Sequence, residues 1–400
     1  MLEEYLPYVD KECLNELIIL AKKLKGIRVL HVNSTKEGGG VAEILHRLVP
    51  LMNQVGIHTD WKVIKGDLKF FKITKKLHNL LHLSNKETIT SDEYVYYLKI
   101  TYENLQHIDT ENYDVVIIHD PQPMGLIVKK VKGQKWVWRC HIDTSSPDPR
   151  AWQFIQNFLN SYDACVFHMP EFAYQNIYIP IFIISPSIDP LHPKNIDLEE
   201  EYVDKILEKF GIDKKRPIIL QVSRFDRLKD PIGVIEVYKI LKKKIDCQLV
   251  LAGGYASDDP EGEEVYKELV NISKDDEDIF ILNLPPESHK EINALQRSAT
   301  IVIQKSLREG FALVVSEAMW KSKPVVGSNV GGIKRQILHG ITGYLVNSIE
   351  GASFRIKQLL FNKDLRIEMG KHAKERVRHR FLIIRHLRDY IMLILKLLKL

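Results

Sequence analysis

Short apolar segments alternate with helical segments in two series along this sequence, and this alternation restricts the chain to a narrow class of folds. The apolar segments of the first series are residues 27–33, 58–64, 113–118, 135–140 and 163–167. Those of the second series are residues 217–222, 248–252, 279–283, 300–304 and 324–327. Buried strands that alternate with helices of this length form parallel βαβ units. The sequence therefore predicts an α/β protein with two Rossmann-like halves.

A proline-punctuated stretch at residues 185–190 separates the two series and has the composition of a linker. We therefore expect an N-terminal domain over residues 1–186 and a C-terminal domain over residues 191–380. The apolar run at 390–400 contains two lysines and is about half as long as the ~20 residues that cross a bilayer. We expect a docked amphipathic helix there and no membrane partner, and attachment to a membrane surface is the alternative.

The composition is that of an ordinary soluble protein. Among 400 residues, 57 lysines and arginines face 52 acidic residues, which gives a net charge of +5. This excess is too small to indicate a nucleic-acid partner. The four cysteines form no C-x-x-C pair, and the first residues contain no apolar signal segment, so we expect buried thiols and a cytoplasmic protein. Interface and core residues cannot be distinguished by pattern, which leaves a homodimer open.

A glycine triplet follows the first strand of the first series. Gly38, Gly39 and Gly40 allow a ligand to approach the backbone, and the helix that follows presents N–H groups to a phosphate or a sugar hydroxyl. Glu43 stands where a dinucleotide fingerprint has its last glycine, so that fingerprint is absent. An ordinary tight turn is the alternative interpretation.

Two cations follow the first strand of the second series. Arg224 and Lys229 leave the end of that strand, where ligands of parallel sheets bind. Together they have the charge to neutralise a diphosphate without a metal ion. A pair of solvated loop residues is the alternative.

Two glutamates flank a helix start in the same half. Glu309 follows a strand, and Glu317 lies about one turn into the next helix. The segment between them begins with a glycine, which permits a tight backbone, and the N–H groups at the helix start favour an anion or sugar hydroxyls. The glycine is Gly310, and the N–H groups are those of Phe311, Ala312 and Leu313. The alternative is an acid that only stabilises the helix dipole.

The spacing of Glu309 and Glu317, in the context EGFALVVSEAM and KPVVGSNVGGI, resembles that of the retaining glycosyltransferases of family 4. The basic pair described above matches the diphosphate-binding pair of that family. The segments at 31–35 (HVNST), 119–123 (HDPQP) and 138–143 (WRCHID) resemble its trehalose-forming members. The resemblance covers nearly the whole chain, although a lysine and a glutamate precede the glycine triplet where smaller or apolar residues are usual.

This resemblance implies a GT-B arrangement, with two facing Rossmann-like domains and an active-site cleft between them. It also implies that the C-terminal helix at residues 381–400 crosses back to the N-terminal domain. The expected reaction transfers glucose, with retention, from ADP-, UDP- or GDP-glucose to free glucose and gives α,α-trehalose. The sequence does not fix the nucleobase or the physiological direction.

The resemblance also assigns roles to single residues. Glu309 would face the transferred glucose, Arg224 and Lys229 would stabilise the departing diphosphate, and His141 would bond the transferred sugar or the acceptor. A satisfied core histidine is the alternative for His141. The expected donor-binding residues are Gly38, Gly39, Gly40, Gly310, Phe311, Ala312, Leu313, Gly253, Asn283 and Leu284, with Glu317 on the ribose. The expected acceptor-binding residues are His78, Asn79, Arg139 and Asp143, and a plain helix surface is the alternative for the first two.

Neither a metal ion nor another cofactor is expected. The D-x-D pattern at 276–278 lies in an acidic run before a strand, and we interpret it as a solvated turn. Two other functions stay open. A trehalose phosphorylase would bind free phosphate in place of the nucleotide phosphates, and a two-lobed sugar- or nucleotide-binding protein would not turn over at all.

Overall fold

The computed structural model describes residues 2–37, 39–82, 87–254 and 260–400. The strands of the first half are β1 (Arg28–Asn33), β2 (His58–Val63), β3 (Val115–His119), β4 (Lys135–Arg139), β5 (Ala164–Phe167) and β6 (Ile181–Ile183). Those of the second half are β7 (Ile218–Val222), β8 (Gln248–Gly253), β9 (Ile279–Asn283), β10 (Ile301–Gln304), β11 (Val325–Ser328) and β12 (Gly343–Val346). Within the described residues they form two six-stranded sheets, and every pairing is parallel.

Helices connect the strands in the manner of βαβ units. Those of the first half are α1 (Lys11–Lys22), α2 (Gly39–Gln54), α3 (Leu68–His82), α4 (Ser91–His107) and α5 (Pro149–Leu159). They are followed by α6 (Glu200–Phe210), α7 (Pro231–Lys242), α8 (Pro260–Ser273), α9 (His289–Ser298), α10 (Leu313–Trp320), α11 (Ile333–Gln336), α12 (Ile349–Phe361), α13 (Lys363–Arg380) and α14 (Ile383–Leu398). Short 3-10 turns lie at Leu2–Tyr5, Met124–Lys129, Pro170–Phe172 and Arg227–Lys229.

The central strands are largely buried because helices cover both faces of each sheet. Every residue of β3 and β7 is buried. The strand orders are β2-β1-β3-β4-β5-β6 and β12-β11-β10-β7-β8-β9. The predicted class, two Rossmann-like α/β halves, is confirmed. The prediction missed β6 and β12, which are the short strands at one edge of each sheet.

The chain divides into two compact units. Residues 1–187 and 383–400 form the first, which we call unit 1, and residues 188–382 form the second, unit 2. The chain thus leaves unit 1 between Ser187 and Ile188 and returns to it between Leu382 and Ile383.

Helix α14 is part of unit 1, where it packs against α1 and α2. Its buried face includes Ile383, Leu387, Ile391 and Ile394, at the three- and four-residue spacing of one helical face. Arg385 anchors the start of the helix by donating to two backbone carbonyls of the segment that leaves unit 1. None of the described helices is long and apolar enough to cross a bilayer.

Candidate functional site

The loops that follow β7 and β10 lie side by side at the carboxyl edge of the unit 2 sheet. These strands are neighbours in the sheet, so their loops leave it at the same edge. The N–H of Leu307 donates to the carbonyl of Leu228 at 2.8 Å and ties the two loops together. This pairing brings the predicted cation and carboxylate into one site.

Lys229 and Glu309 contact each other directly. The Lys229 Nζ atom lies 2.6 Å from Glu309 Oε2, and the Ser306 hydroxyl donates to the same oxygen at 3.1 Å. The Lys229 side chain is 19% exposed and Glu309 is buried. The pair neutralises both charges in the ligand-free protein and leaves the ammonium near the surface, where an anionic ligand can reach it.

Arg224 follows β7 but does not join this pair. Its side chain is 66% exposed and approaches only Asp226, at 3.5 Å, among the described residues. A contact of this length is at the limit of hydrogen bonding. The guanidinium is therefore available to a ligand at the same loop.

The backbone after Glu309 is held in an unusual conformation. Ala312 has a φ of +65°, which costs a non-glycine residue of order 1–3 kcal/mol. The Gln336 amide donates to the carbonyls of Phe311 and Ala312 and compensates for part of this strain. A Cβ atom on Gly331 would lie 1.7 Å from the carbonyl oxygen of Glu309, so only glycine fits there. These contacts set the direction of Gly310 and of the first N–H groups of α10, which begins at Leu313.

Glu317 lies in the second turn of α10, as its spacing from Glu309 predicts, but it is 1% exposed. Its carboxylate accepts a hydrogen bond from the Gln296 amide at 3.3 Å and lies 4.0 Å from Lys194 Nζ. Beneath it, the buried ammonium of Lys321 donates to the Glu317 carbonyl and to the Gln296 side chain. Burial lowers the pKa of Lys321 to about 7. The ribose role of Glu317 stays a prediction.

The remaining donor residues predicted in unit 2 lie at the same edge. Gly253 ends β8, and a Cβ atom there would lie 1.7 Å from the carbonyl oxygen of Ser223. The N–H of Leu284 donates to the Gly253 carbonyl at 2.5 Å, and the exposed Asn283 ends β9. The structure thus brings Gly253 against the loop that contains Arg224, and Leu284 against Gly253.

The acidic run at 276–278 has a structural role. Asp278 forms a two-point ion pair with Arg216 and contacts Lys242 at 2.6 Å. These cations hold the pKa of Asp278 at about 2. No three histidine, cysteine, aspartate or glutamate side chains among the described residues lie together in a way that could hold a metal ion.

In unit 1 the glycine triplet follows β1, as predicted. Gly38 lies outside the described residues. Gly39 has a φ of +77° and starts α2 together with Gly40, and both are exposed. The left-handed φ requires glycine at this position. Phosphate or sugar binding by these residues stays a prediction.

His141 lies at the carboxyl edge of the unit 1 sheet, but both of its ring nitrogens are already bonded. Its Nε2 lies 2.9 Å from His119 Nδ1, and its Nδ1 lies 3.2 Å from His168 Nε2. A sugar that bonded either nitrogen would have to displace a histidine. The sequence did not indicate these two partners as site residues.

Asp120 is the functional candidate that the sequence analysis missed. It directly follows β3, is only half-buried, and has a φ of +62°. Its Oδ1 accepts a hydrogen bond from the His141 N–H at 2.7 Å, while Oδ2 has no partner among the described residues. Burial raises the pKa of this carboxyl to about 7. The signal was an acid immediately after a fully buried strand, in the segment HDPQP.

Arg139 and Asp143 are buried beside this point. The Arg139 guanidinium donates to the carbonyls of Phe167 and Ile184 and so joins the ends of β5 and β6. Asp143 accepts from the N–H and the hydroxyl of Ser145. These contacts give both residues a structural role, and acceptor binding by them stays a prediction.

His78 and Asn79 lie on α3 and not at a strand end. His78 is half-buried beside His82, and Asn79 is exposed. The end of α3 is tied to the segment after β4, because the N–H of Asp148 donates to the Leu80 carbonyl at 2.8 Å. Their place in acceptor binding also stays a prediction.

Comparison with known proteins adds three findings. A family model described as the N-terminal domain of trehalose synthase matches residues 31–174, and one described as glycosyl transferases group 1 matches residues 203–376. The chain is 46% identical to the trehalose synthase of Pyrococcus furiosus over 393 residues, which cover 98% of this chain and 95% of the relative. It is 29% identical to the trehalose phosphorylase of Pleurotus pulmonarius, over 86% of this chain and 54% of that protein.

The fold has solved counterparts. The structure of the sucrose-phosphate synthase from Thermosynechococcus elongatus matches with a TM-score of 0.73 and covers 93% of this chain and 99% of its own. The sequence identity between the two chains is 18%, so the structural similarity supports the GT-B fold and nothing more specific.

Proposed function

Because the chain belongs to the trehalose synthase family of group 1 glycosyl transferases, we propose that it transfers glucose from a nucleoside diphosphate to free glucose and forms α,α-trehalose. Membership of this family makes it an enzyme that transfers a hexose. The nucleotide-sugar donor, the glucose acceptor and the retained configuration are parts of the proposal.

The Lys229–Glu309 pair carries the proposal. When glucose leaves a nucleoside diphosphate, negative charge builds up on the departing phosphate oxygens. A fixed ammonium that is already at the sheet edge stabilises that charge without reorganisation. Lys229 has this position, and Arg224 supplies a second, exposed cation on the same loop. Glu309 would be released from Lys229 to support positive charge on the transferred sugar.

The acceptor would bind to unit 1. Asp120 Oδ2 is a part-buried acceptor without a partner among the described residues, and a glucose hydroxyl is a donor that fits it. A hydrogen bond to an ionised carboxylate is stronger than one between neutral groups. Asp120 therefore replaces His141 as the residue that we propose for direct contact with the acceptor.

The retained configuration would not need a protein nucleophile. Retaining glycosidases use two carboxylates about 5–5.5 Å apart. The acids beside Lys229 in its loop are engaged by that loop: Asp226 accepts from the Leu228 N–H, and Asp230 accepts from the Gly233 N–H. We propose that a departing phosphate oxygen takes the proton of the acceptor hydroxyl on the same face of the sugar.

The reaction would also proceed without a metal ion, because Lys229 and Arg224 supply two positive charges for the diphosphate. Turnover in metal-free buffer should be unchanged by EDTA. Loss of turnover that Mg²⁺ or Mn²⁺ restores would contradict this part of the proposal.

The test is a donor screen with product identification. Purified protein is incubated with ADP-, UDP- or GDP-glucose and free glucose, and the expected product is a non-reducing disaccharide that trehalase cleaves. A reducing disaccharide would overturn the specificity. The matched controls are Glu309→Gln, which should be inactive, and Glu277→Gln in an exposed turn, which should not change the rate.

Two further assays on the same purified protein test the alternatives. Cleavage of trehalose that requires phosphate and no nucleotide would identify a phosphorylase. The similarity to the trehalose phosphorylase of Pleurotus pulmonarius is the reason to test this activity. Nucleotide-sugar binding without turnover, unchanged by Glu309→Gln, would identify a binding protein.

A further inference from the structure

Four histidines form a continuous row across four adjacent strands of unit 1. His31 lies in β1, His119 ends β3, His141 lies two residues after β4, and His168 follows β5. The sheet order places these strands side by side. Ring nitrogens meet at 2.9 Å between His31 and His119, at 2.9 Å between His119 and His141, and at 3.2 Å between His141 and His168. We call this row the histidine chain.

Three rings of the histidine chain, those of His31, His119 and His141, are neutral around neutral pH. Burial lowers the pKa of His31 to about 3 and holds those of His119 and His141 well below the ordinary value. The buried guanidinium of Arg139 acts in the same direction on His119 and His141. A neutral imidazole has one N–H donor and one lone pair, so each ring can donate once and accept once.

This restriction couples the tautomers of these three rings. His119 bonds through both nitrogens, and so does His141. If His31 donates from Nδ1, then His119 must accept at Nε2 and donate from Nδ1, and the same follows along the chain. In the opposite direction every ring carries its proton on Nε2. The histidine chain therefore has two permitted states. In each of them His31, His119 and His141 share one tautomer, and His168 accepts or donates at Nε2 accordingly.

The hydrogen bonds of the histidine chain suit it to hold a ring in place and not to conduct a proton. Its first end, His31 Nε2, is buried and has no hydrogen-bond partner among the described residues. The ring of Tyr390 lies 5.7 Å from the His31 ring, and burial raises the pKa of that tyrosine. A proton conduit needs a hydrogen-bond donor or acceptor at both ends. A row of rings that has none at one end can fix the orientation of its rings but cannot conduct a proton through.

The fixed ring lies next to the proposed acceptor contact. Both nitrogens of His141 are held by the chain, so its ring cannot turn without breaking a bond. The backbone N–H of the same residue donates to Asp120 Oδ1 at 2.7 Å. The orientation of His141 and that of the Asp120 carboxylate are therefore set together.

We propose that His119 is a positioning residue for the acceptor: through the histidine chain it fixes His141, and with it the Asp120 carboxylate that binds the glucose hydroxyl. This inference rests on the proposed function for its acceptor. The coupled tautomers that it requires can be observed in the ligand-free protein without any substrate.

The first experiment is NMR of the full-length protein labelled with ¹⁵N-histidine. Long-range ¹H–¹⁵N correlations distinguish Nδ1–H from Nε2–H rings, and single substitutions assign the four signals. The expected spectrum shows one shared tautomer for His31, His119 and His141. The exposed His107 serves as an uncoupled control. Mixed tautomers within the chain would overturn the inference.

The second experiment separates positioning from simple stability. The amide of asparagine lies near the position of Nδ1 and that of glutamine near the position of Nε2. His119→Asn should keep the bond to His141 and lose that to His31, while His119→Gln should do the reverse. We expect the KM for glucose to stay within about 3-fold of wild type in the first variant and to rise about 10-fold in the second.

Two controls make the outcomes distinct. The KM for the nucleotide sugar should be unchanged in both variants, and His107→Gln should change neither constant. Equal effects of the two substitutions on the glucose KM, in step with their melting temperatures, would show a merely structural role and overturn the inference. If wild type forms no trehalose, the proposed function fails. The NMR spectrum still tests whether the tautomers of the histidine chain are coupled.

Discussion

Replacing Lys229 with methionine removes the ammonium from the unit 2 site and keeps an unbranched side chain. The Glu309 carboxylate then loses its 2.6 Å partner and keeps the Ser306 hydroxyl. Removing one partner of a fully buried pair costs about 3–5 kcal/mol. Because the Lys229 side chain is 19% exposed, water compensates part of this loss, and we expect about 1–2 kcal/mol. In a unit of this size that lowers the melting temperature by about 2–8 °C.

The effect on catalysis should be larger. Lys229 is expected to act where charge develops on the departing phosphate, and the loss of one such preorganised group costs about 10²–10³-fold in kcat. Initial rates of trehalose formation at saturating donor and glucose measure this loss. Lys274→Met, in an exposed turn of the same unit, should change neither rate nor stability.

A double variant separates the two roles. In Lys229→Met/Glu309→Gln the carboxylate at position 309 is replaced by a neutral amide, so no uncompensated buried charge remains. Most of the loss in melting temperature should therefore be recovered. The rate should not return, because both the cation and the Glu309 carboxylate are missing. A kcat within 3-fold of wild type in Lys229→Met, or recovery of the rate in the double variant, would refute the assignment.

Three further outcomes follow from the same contacts. Because burial raises the pKa of Asp120 to about 7, kcat/KM for glucose should rise between about pH 6 and 8 as the carboxylate forms, and Asp120→Asn should lower it and abolish the rise. The folded state holds this proton more tightly than the unfolded chain, so the stability of wild type relative to Asp120→Asn should fall as the pH increases from about 4 to 7. Gly253→Ala places a Cβ 1.7 Å from the Ser223 carbonyl and should cost about 1–3 kcal/mol in urea unfolding, and unchanged stability would show that this loop is not closely packed. Arg224→Ala should lower kcat by about 10²-fold with an unchanged melting temperature, and near-normal turnover would remove Arg224 from the site.

The unpredicted strands show where periodicity fails. β6 has three residues and β12 has four, and both lie at sheet edges. β6 is partly exposed and very short, and the few residues of β12 begin with a glycine, so neither segment stands out as a strand by its own pattern. Only its pairing with β5 or β11 identifies such a segment as a strand.

The candidate site was predictable to the extent that it depends on strand ends. Arg224, Lys229 and Glu309 were indicated because each follows a buried strand, and parallel strands bring their carboxyl ends to one edge. Their ion pairing was not, because two residues 80 positions apart meet only through the neighbouring positions of β7 and β10. His141 was indicated in the same way, but the sequence did not predict that both of its ring nitrogens are bonded to other histidines.

The sequence by itself determined the two α/β halves, the order of their strands along the chain and the edge at which each functional segment emerges, because hydrophobic periodicity and strand ends are local properties. Only the tertiary structure decided that His31, His119, His141 and His168 form one histidine chain, and that one Asp120 oxygen beside it has no partner among the described residues. Those facts depend on the spatial order β1-β3-β4-β5. Hydrogen bonding is short-ranged, so a neighbour that is distant in sequence is fixed by the packing of the sheet and not by any local pattern.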